Sequence, residues 1–261
     1  MLWFPKFRPA GWAAALARRL AHSPIDNRWL IGRLVEIGGN QVTVNGLTFA
    51  LDNPLIRTRD KRAVCLGLHE APELALVHAR LIAGLPVIEL GGGIGIVSCN
   101  INRRLVHPRD HVVVEANPDL IPALETNRRL NQCQYQIRGA ALAYGAETTV
   151  LAIDSWVASR VGGGGTRRAV VPTTTLAKLL QESGFTRINL VADIEGAEAD
   201  LVEQEGALLS QRVRTLILET HPSVTGRERA ERIIATIRSL GFAETARFRH
   251  VLAFENPALA L

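Results

Sequence analysis

The sequence predicts an α/β protein with a Rossmann-like, mainly parallel sheet, helices on both faces and an antiparallel edge at the C-terminal end. Two observations support this fold class. Strand-like apolar runs alternate with helix-like segments from Pro86 onward, and a glycine-rich turn follows the first run. Such alternation produces parallel strands joined by crossover helices. With 261 residues, 47% of them hydrophobic, the chain suits one large domain with an appendage.

The first 66 residues are predicted to form an N-terminal extension of a helix and a β-hairpin. Residues 1–20 mix aromatic and basic side chains and lack the apolar core of a signal peptide. They favour a helix that docks on the domain, with contact to an anionic membrane surface as the alternative. Asn45-Gly46 lies between strand-like Gln41–Val44 and Leu47–Leu51. This dipeptide accepts the positive φ angles of a two-residue hairpin turn.

The α/β domain is predicted over residues 67–261. A helix over residues 70–82 comes first and ends before Gly84 and Pro86. Strand-then-helix units follow over residues 87–105, 111–131, 167–184, 187–206 and 212–240, with another strand in 134–142 and two closing strands in 242–256. Pro118 is assigned to one helix start, a threonine caps another helix, and Gly162–Gly165 is read as a flexible loop tip. The short link between the closing strands predicts the antiparallel edge.

Composition limits the partners and the cellular location that are expected for the protein. Lys and Arg together number 30 against 25 for Asp and Glu, and the basic residues are scattered, so no nucleic-acid partner is expected. No apolar run reaches the length of about eighteen residues that a membrane-spanning helix needs. Three separated cysteines without a CxxC pair favour a reduced, cytoplasmic protein.

The stretch "VIELGGGIGIVS" predicts a cofactor site. Its acid-x-G-x-G-x-G pattern consists of Glu89, Gly91, Gly93 and Gly95. A dinucleotide fingerprint that starts at Gly91 would need glycine where Ile96 stands, whereas the observed pattern is typical of sites for S-adenosyl-L-methionine (SAM). A carboxylate such as Glu89 suits the sulfonium and ammonium groups of that cofactor.

The next strand contributes to the same site. Glu115 ends the run "HVVVE", where an acid can accept both hydrogen bonds of a ribose diol. This feature indicates an adenosine ligand without distinguishing SAM from NAD. Asn117, two residues further on, is assigned to the same cofactor site.

Two later strand ends supply the candidate catalytic residues. Asp193 and Glu195 follow an apolar strand in "VADIEGAE", and strand alternation predicts that both point to the same side. Glu198 is interpreted as an acid that favours a helix start. Glu219 and His221 end the run "LILETH". Asp193 is the preferred base for a hydroxyl proton, and a neutral His221 is the substitute.

Several of these motifs resemble, in the same order, those of the FkbM-like methyltransferases. The resemblance covers about residues 67 to 222 and rests on "ELGGGIG", "VVVEANPDLIPALETNRRLN", "VPTTTLAKLL", "DIEGAEADLVEQEGALL" and "ILETHP". It implies a class I SAM-dependent methyltransferase that acts on a hydroxyl oxygen of a sugar, glycolipid or polyketide-like product. The chain departs from the family pattern at the glycine loop, at Val191, where a lysine is usual, and at Ala177, where an aspartate is usual.

Direct methyl transfer without a metal is the preferred mechanism. The residues leave other functions open beside it. Asp193, Glu195, Glu219 and His221 could instead hold Mg²⁺ or Mn²⁺ in a metal-assisted methyltransferase. An NAD-dependent oxidoreductase is disfavoured by Ile96. A binding protein that kept only the SAM pocket, or a module that binds a membrane surface through residues 1–20, would perform no chemistry.

Overall fold

The computed structural model describes residues 28–156, 158–161 and 167–260. The chain divides into two compact units, Met1–Ala71 and Pro72–Leu261. The predictions for residues 1–20 and for the Gly162–Gly165 loop fall outside the described residues and stay predictions. The domain boundary expected between residues 66 and 67 also stays a prediction.

The described part of the first unit, residues 28–71, contains two helices and a hairpin: α1 Arg28–Ile37, β1 Gln41–Val44, β2 Leu47–Ala50 and α2 Lys61–Cys65. Asn45 and Gly46 have φ angles of 52° and 78°, and β1 pairs with β2 in antiparallel register. The predicted Asn-Gly hairpin is therefore confirmed.

Over its described residues, the second unit combines two sheets with helices. Its helices are α3 Ala71–Arg80, α4 Ile96–Arg104, α5 Ile121–Leu130, α6 Leu176–Ser183, α7 Glu198–Arg212, α8 Pro222–Thr225 and α9 Arg227–Ser239. The large sheet contains β3 Val87–Leu90, β4 His111–Glu115, β5 Gln136–Gly139, β10 Ile188–Ala192, β11 Val213–Glu219, β12 Ala243–Phe248 and β13 Val251–Glu255. The small sheet contains β6 Ala141–Leu142, β7 Thr148–Ser155, β8 Ala158–Val161 and β9 Arg167–Thr174. Within the described residues, no helix is long and apolar enough to cross a membrane.

The seven strands of the large sheet lie in the order β12-β13-β11-β10-β3-β4-β5. The strands from β11 to β5 are parallel, whereas β13 runs antiparallel to both β11 and β12. This arrangement confirms the predicted parallel sheet with an antiparallel C-terminal edge. The order also places β3, the strand before the glycine loop, between β10 and β4.

Apolar residues cover both faces of this sheet because side chains alternate along each strand. One face packs Ile88 and Leu90 with residues of α6, α7 and α9. The other face packs Val87 with residues of α3 and α4, including Val77 and Ile101. Burial on both faces agrees with the nearly continuous apolar runs of the parallel strands.

The structure corrects three element boundaries. The expected single strand over residues 134–142 divides at Ala140, since β5 joins the large sheet and β6 pairs with β9. The helix expected from Pro118 begins at Ile121 with Pro122 in its first turn. In the unit predicted over residues 87–105, the helix-like segment was expected to start at Ile94, directly within the glycine turn. It begins at Ile96 instead, because Gly95 has a left-handed backbone with φ of 90°.

Candidate functional site

Four strand ends meet at one edge of the large sheet. In the parallel register Val114 pairs with Leu90, Leu90 with Ala192, and Ala192 with Leu218. The residues that come next on each strand therefore form a row at the carboxyl edge: Glu115, Gly91, Asp193 and Glu219. Ligands of open α/β sheets bind at this edge.

The glycine loop needs glycine at Gly91 for steric reasons. Its φ is +94°, and a Cβ atom there would lie 1.8 Å from the carbonyl oxygen of Asp193. No side chain fits at that distance, so the loop lies directly against the end of β10. At Gly93, where φ is +53°, a Cβ atom would meet nothing within 4 Å. This side of the loop is open to a ligand.

Glu115 connects the end of β4 to the glycine loop. The N–H of Gly93 donates to its Oε2 at 2.6 Å, and the N–H of Asn117 donates to its Oε1 at 2.7 Å. Burial raises the pKa of Glu115 to about 7, although these two N–H groups act in the opposite direction. A carboxylate has about four acceptor positions, so each oxygen can accept one more hydrogen bond, as a ribose diol requires.

Asn117 fixes the loop that follows β4. Its side chain is buried, and its amide donates to the hydroxyl of Ser159 on β8 at 3.1 Å. The small sheet thus contacts the carboxyl edge of the large sheet at this residue. Direct contact between Asn117 and a cofactor stays a prediction.

Glu89 lies below the glycine loop, with 1% of its surface exposed. Its Oε1 accepts from the hydroxyl of Ser98 at 2.8 Å, and its Oε2 lies 3.0 Å from Nε2 of His111. Both oxygens therefore already have partners on neighbouring elements. These contacts give Glu89 a structural role between β3, β4 and α4, and the predicted cofactor contact stays a prediction.

Three carboxylates surround the ring of His221. Nε2 lies 3.2 Å from Oδ1 of Asp193 and 3.7 Å from Oε2 of Glu195. Nδ1 lies 2.8 Å from Oε1 of Glu198. Glu219 also belongs to this group, because one ligand atom each of Asp193, Glu219 and His221 lie within 4.8 Å of one another.

Without a bound metal ion, these carboxylates favour the cationic form of His221. Burial by itself lowers the pKa of His221, but hydrogen bonds to Asp193 and Glu198 and their charges raise it to about 11. This differs from the neutral base expected from the sequence, since an imidazole accepts a proton only when it is deprotonated. Burial raises the pKa of Glu195 to about 7, although the charge of His221 acts to lower it.

Asp193 and Glu195 do approach the same side, but strand alternation is not the reason. β10 ends at Ala192, so both residues lie beyond the strand. Glu195 instead has a left-handed backbone with φ of 50°, which is uncommon outside glycine and asparagine. This turn brings its carboxylate back toward His221.

Glu198 is a site residue that the helix-start interpretation undervalued. Its surface is 0% exposed, and its Oε1 accepts from the N–H of Gly196 at 3.2 Å as well as contacting His221. The sequence did contain a signal, since Leu201 and Val202 follow at i+3 and i+4 on the same buried face of α7. That spacing places Glu198 inside the protein.

These features define a class of protein. A class I SAM-dependent methyltransferase has the parts described above: a parallel sheet with an antiparallel closing edge, an open glycine loop after an interior strand and an acid at the next strand end. The family model described as "Methyltransferase FkbM domain" matches residues 89–243, which is more than half of the chain. The chain belongs to the FkbM methyltransferase family, it is a SAM-dependent methyltransferase, and its cofactor is SAM.

Comparisons with other proteins add distant likenesses. No curated protein matches the chain. A protein of the NADB-Rossmann superfamily from Streptococcus agalactiae is 12% identical and aligns over 72% of this chain and 69% of its own, with a TM-score of 0.45. Fibrillarin from Aeropyrum pernix, in complex with natively bound SAM, is 15% identical over 82% and 81%, with a TM-score of 0.42. Precorrin-6y C5,15-methyltransferase from Geobacter metallireducens is 13% identical over 79% and 91%, with a TM-score of 0.43. Family membership rests on the sequence match alone.

Proposed function

We propose that the protein transfers the methyl group of SAM to a hydroxyl oxygen of a sugar, glycolipid or hydroxylated natural product. The observation that supports this is the position of Asp193 and Glu195. The Asp193 backbone touches Gly91 of the cofactor loop, and both carboxylates converge on His221 at the same sheet edge. An acceptor hydroxyl that enters this edge would meet proton acceptors beside the methyl donor.

Bound SAM supplies a methyl group that an oxygen nucleophile accepts as the carbon–sulfur bond breaks. The chain's own contribution is to orient the hydroxyl and to receive its proton on a carboxylate oxygen of Asp193 or Glu195. The His221 ring holds Asp193 in place through its 3.2 Å contact. Orientation of the two reactants can lower the barrier by ~7–11 kcal/mol in the best cases, so a strong base is not required.

The test is methyl transfer from labelled SAM to a panel of sugars, glycolipids and hydroxylated natural products. The product is analysed by NMR to establish which atom carries the new methyl group. We expect an O-methyl ether. A methyl group found on nitrogen, carbon or RNA, with no hydroxyl acceptor methylated, would overturn the proposal.

Substitutions at the acid–histidine cluster connect the activity to the geometry. With an acceptor in hand, Asp193→Asn and Glu195→Gln are expected to lower turnover by about 10²–10⁴-fold if the substituted group is the proton acceptor. The dissociation constant for SAM should stay within about threefold, a difference of less than 1 kcal/mol. Glu203→Gln is the matched control, because Glu203 is an exposed acid on α7.

A further inference from the structure

We propose that Asp193, Glu219 and His221 form a binding site for a divalent transition metal of the Mn²⁺ type. The inference deepens the proposed hydroxyl methylation and rests on it, because the ion would draw the acceptor oxygen to the same sheet edge. It favours the metal-assisted alternative over the metal-free mechanism that the sequence first suggests.

The ligand set comes from two adjacent parallel strands. Asp193 follows β10 and Glu219 is the last residue of β11, and the residues before them, Ala192 and Leu218, pair in the parallel register. His221 lies two residues beyond Glu219, and one ligand atom from each residue lies within 4.8 Å of the others. A small inward movement would bring all three atoms to coordination distances of about 2.0–2.2 Å from a central ion.

The histidine already has an outer carboxylate partner. Glu198 contacts Nδ1 of His221 at 2.8 Å, so this nitrogen carries a proton toward Glu198 and Nε2 is directed to Asp193. A carboxylate that binds the far nitrogen of a ligating histidine is the usual outer partner in metal sites. Glu198 is also fully buried, and among the described residues its Oε2 has no hydrogen-bond partner. A buried carboxylate oxygen without a partner indicates a missing polar ligand, such as an ion or its water.

The charge balance around the ring favours a cation. Four carboxylates, those of Asp193, Glu195, Glu198 and Glu219, lie around one imidazole. One of these carboxylates is buried and the other three are half-buried, so their like charges repel one another, and a divalent ion relieves this repulsion more than a single proton does. A set of one imidazole and two carboxylates suits Mn²⁺ better than Mg²⁺, which prefers oxygen ligands alone.

The first experiment uses the full chain, freed of metal with a chelator that is then removed, and Mn²⁺ alone as the probe. EPR follows the loss of the free-ion signal during titration, and pulsed EPR tests the bound ion for coupling to a nitrogen nucleus. We expect one saturable site per chain with nitrogen coupling from His221. The absence of a saturable site, or saturation without nitrogen coupling, overturns the proposal without reference to any variant.

Variants then test the other ligands. Asp193→Asn and Glu219→Gln should each weaken Mn²⁺ binding at least about tenfold, and Glu198→Gln should weaken it about 10–100-fold through the orientation of His221. Glu228→Gln removes an exposed acid of α9 and is the matched control. SAM binding and circular dichroism show that each variant is folded. Unchanged Mn²⁺ affinity in folded Asp193→Asn and Glu219→Gln would exclude this ligand set.

The two proposals can fail separately. Mn²⁺ binding with the expected coupling but no methylation of any hydroxyl would leave the metal site standing and overturn the proposed acceptor. Hydroxyl methylation at full rate in EDTA, by a chain that does not bind Mn²⁺, would overturn the metal site and leave the proposed function intact.

Discussion

At the scale of single residues, Glu115 is expected to hold the ribose of the cofactor. Its buried carboxylate accepts from Gly93 N–H and Asn117 N–H and retains one further acceptor position on each oxygen. Glu115→Gln replaces one oxygen by an NH₂ group that cannot accept. We expect a loss of SAM binding free energy of about 1–3 kcal/mol, which raises the dissociation constant roughly 5–150-fold, in calorimetric titration. Glu147→Gln, which changes an exposed acid, should leave it unchanged.

The same carboxylate predicts a pH dependence of binding. Its pKa is raised to about 7, so Glu115 loses its charge as the pH falls through 7. A ribose diol donates hydrogen bonds and therefore prefers the charged form, so SAM affinity should rise with pH up to about 7 and then level off. One unit below that pKa the dissociation constant should be about tenfold larger. The comparison is with Glu115→Gln, which retains the titration of SAM itself. Equal pH profiles for the two proteins would contradict this role of Glu115.

Substitutions at Gly91 and Gly93 can distinguish an effect on protein stability from an effect on SAM binding. Gly91→Ala places a methyl group against the Asp193 carbonyl at a backbone conformation that alanine avoids. We expect a loss of unfolding free energy of about 2–4 kcal/mol. Gly93→Ala meets no atom and should cost only about 1–2 kcal/mol. Its methyl group would instead occupy the open side of the loop and raise the dissociation constant for SAM about tenfold or more.

Both substitutions are measured by chemical denaturation and calorimetry. The test is the ranking of the two proteins. Gly91→Ala should be the less stable protein, and Gly93→Ala should lose more SAM affinity than its small loss of stability explains. A Gly93→Ala protein with normal SAM affinity would show that the ligand does not approach this side of the loop.

At the scale of secondary-structure elements, α7 supports the start of α6 through Glu205. Its carboxylate accepts from the N–H groups of Leu176 and Ala177 at 2.8 and 2.7 Å and from the hydroxyl of Tyr144 at 2.6 Å. Thr175 caps the same helix end, which confirms the predicted threonine cap. A carboxylate from another helix therefore neutralises the positive end of α6.

Removal of this contact should destabilise the fold without changing the cofactor loop. Glu205→Ala leaves two helix N–H groups without their acceptor and should cost about 1–3 kcal/mol of unfolding free energy. Tyr144→Phe should cost about 1–2 kcal/mol, and the double variant should cost less than the sum, because the two side chains share one hydrogen bond. Glu203→Gln on the exposed face of α7 serves as the control in denaturant titrations. Strict additivity of the two substitutions would show that the shared bond contributes no stability.

Local sequence information predicted some elements and missed others for identifiable reasons. The Asn45-Gly46 turn and the closing strand pair were predictable, because turn chemistry and short links act locally. The small sheet was not, because β7 "TTVLAIDS" lacks strict alternation and β6 finds its partner in β9, some thirty residues away. The left-handed backbone of Glu195 has no signal in the sequence at all. The convergence of its carboxylate on His221 follows from that backbone and from no local sequence pattern.

At the scale of the whole molecule, the site depends on register rather than on any one motif. Glu115, Gly91, Asp193 and Glu219 come from four separate parts of the chain, and parallel pairing alone aligns them. A one-residue slip of a strand would turn its side chains to the opposite face. The apolar faces of the sheet therefore hold the candidate site together, because their burial fixes this register.

All of the candidate site residues lie in the second compact unit, so this unit should bind SAM without the first. We expect a chain of residues 67–261 to fold and to bind SAM within about threefold of the full chain, as measured by circular dichroism and calorimetry. The start at Gly67 keeps α3 whole, and α3 contributes Leu76 and Val77 to the core beneath the sheet. A chain of residues 81–261 removes both side chains, each worth about 2–5 kcal/mol in a core, and should not fold stably. Glu115→Gln in the 67–261 chain should weaken SAM binding as it does in the full chain. Loss of SAM binding in a folded 67–261 chain would show that residues 1–66 take part in forming the cofactor site.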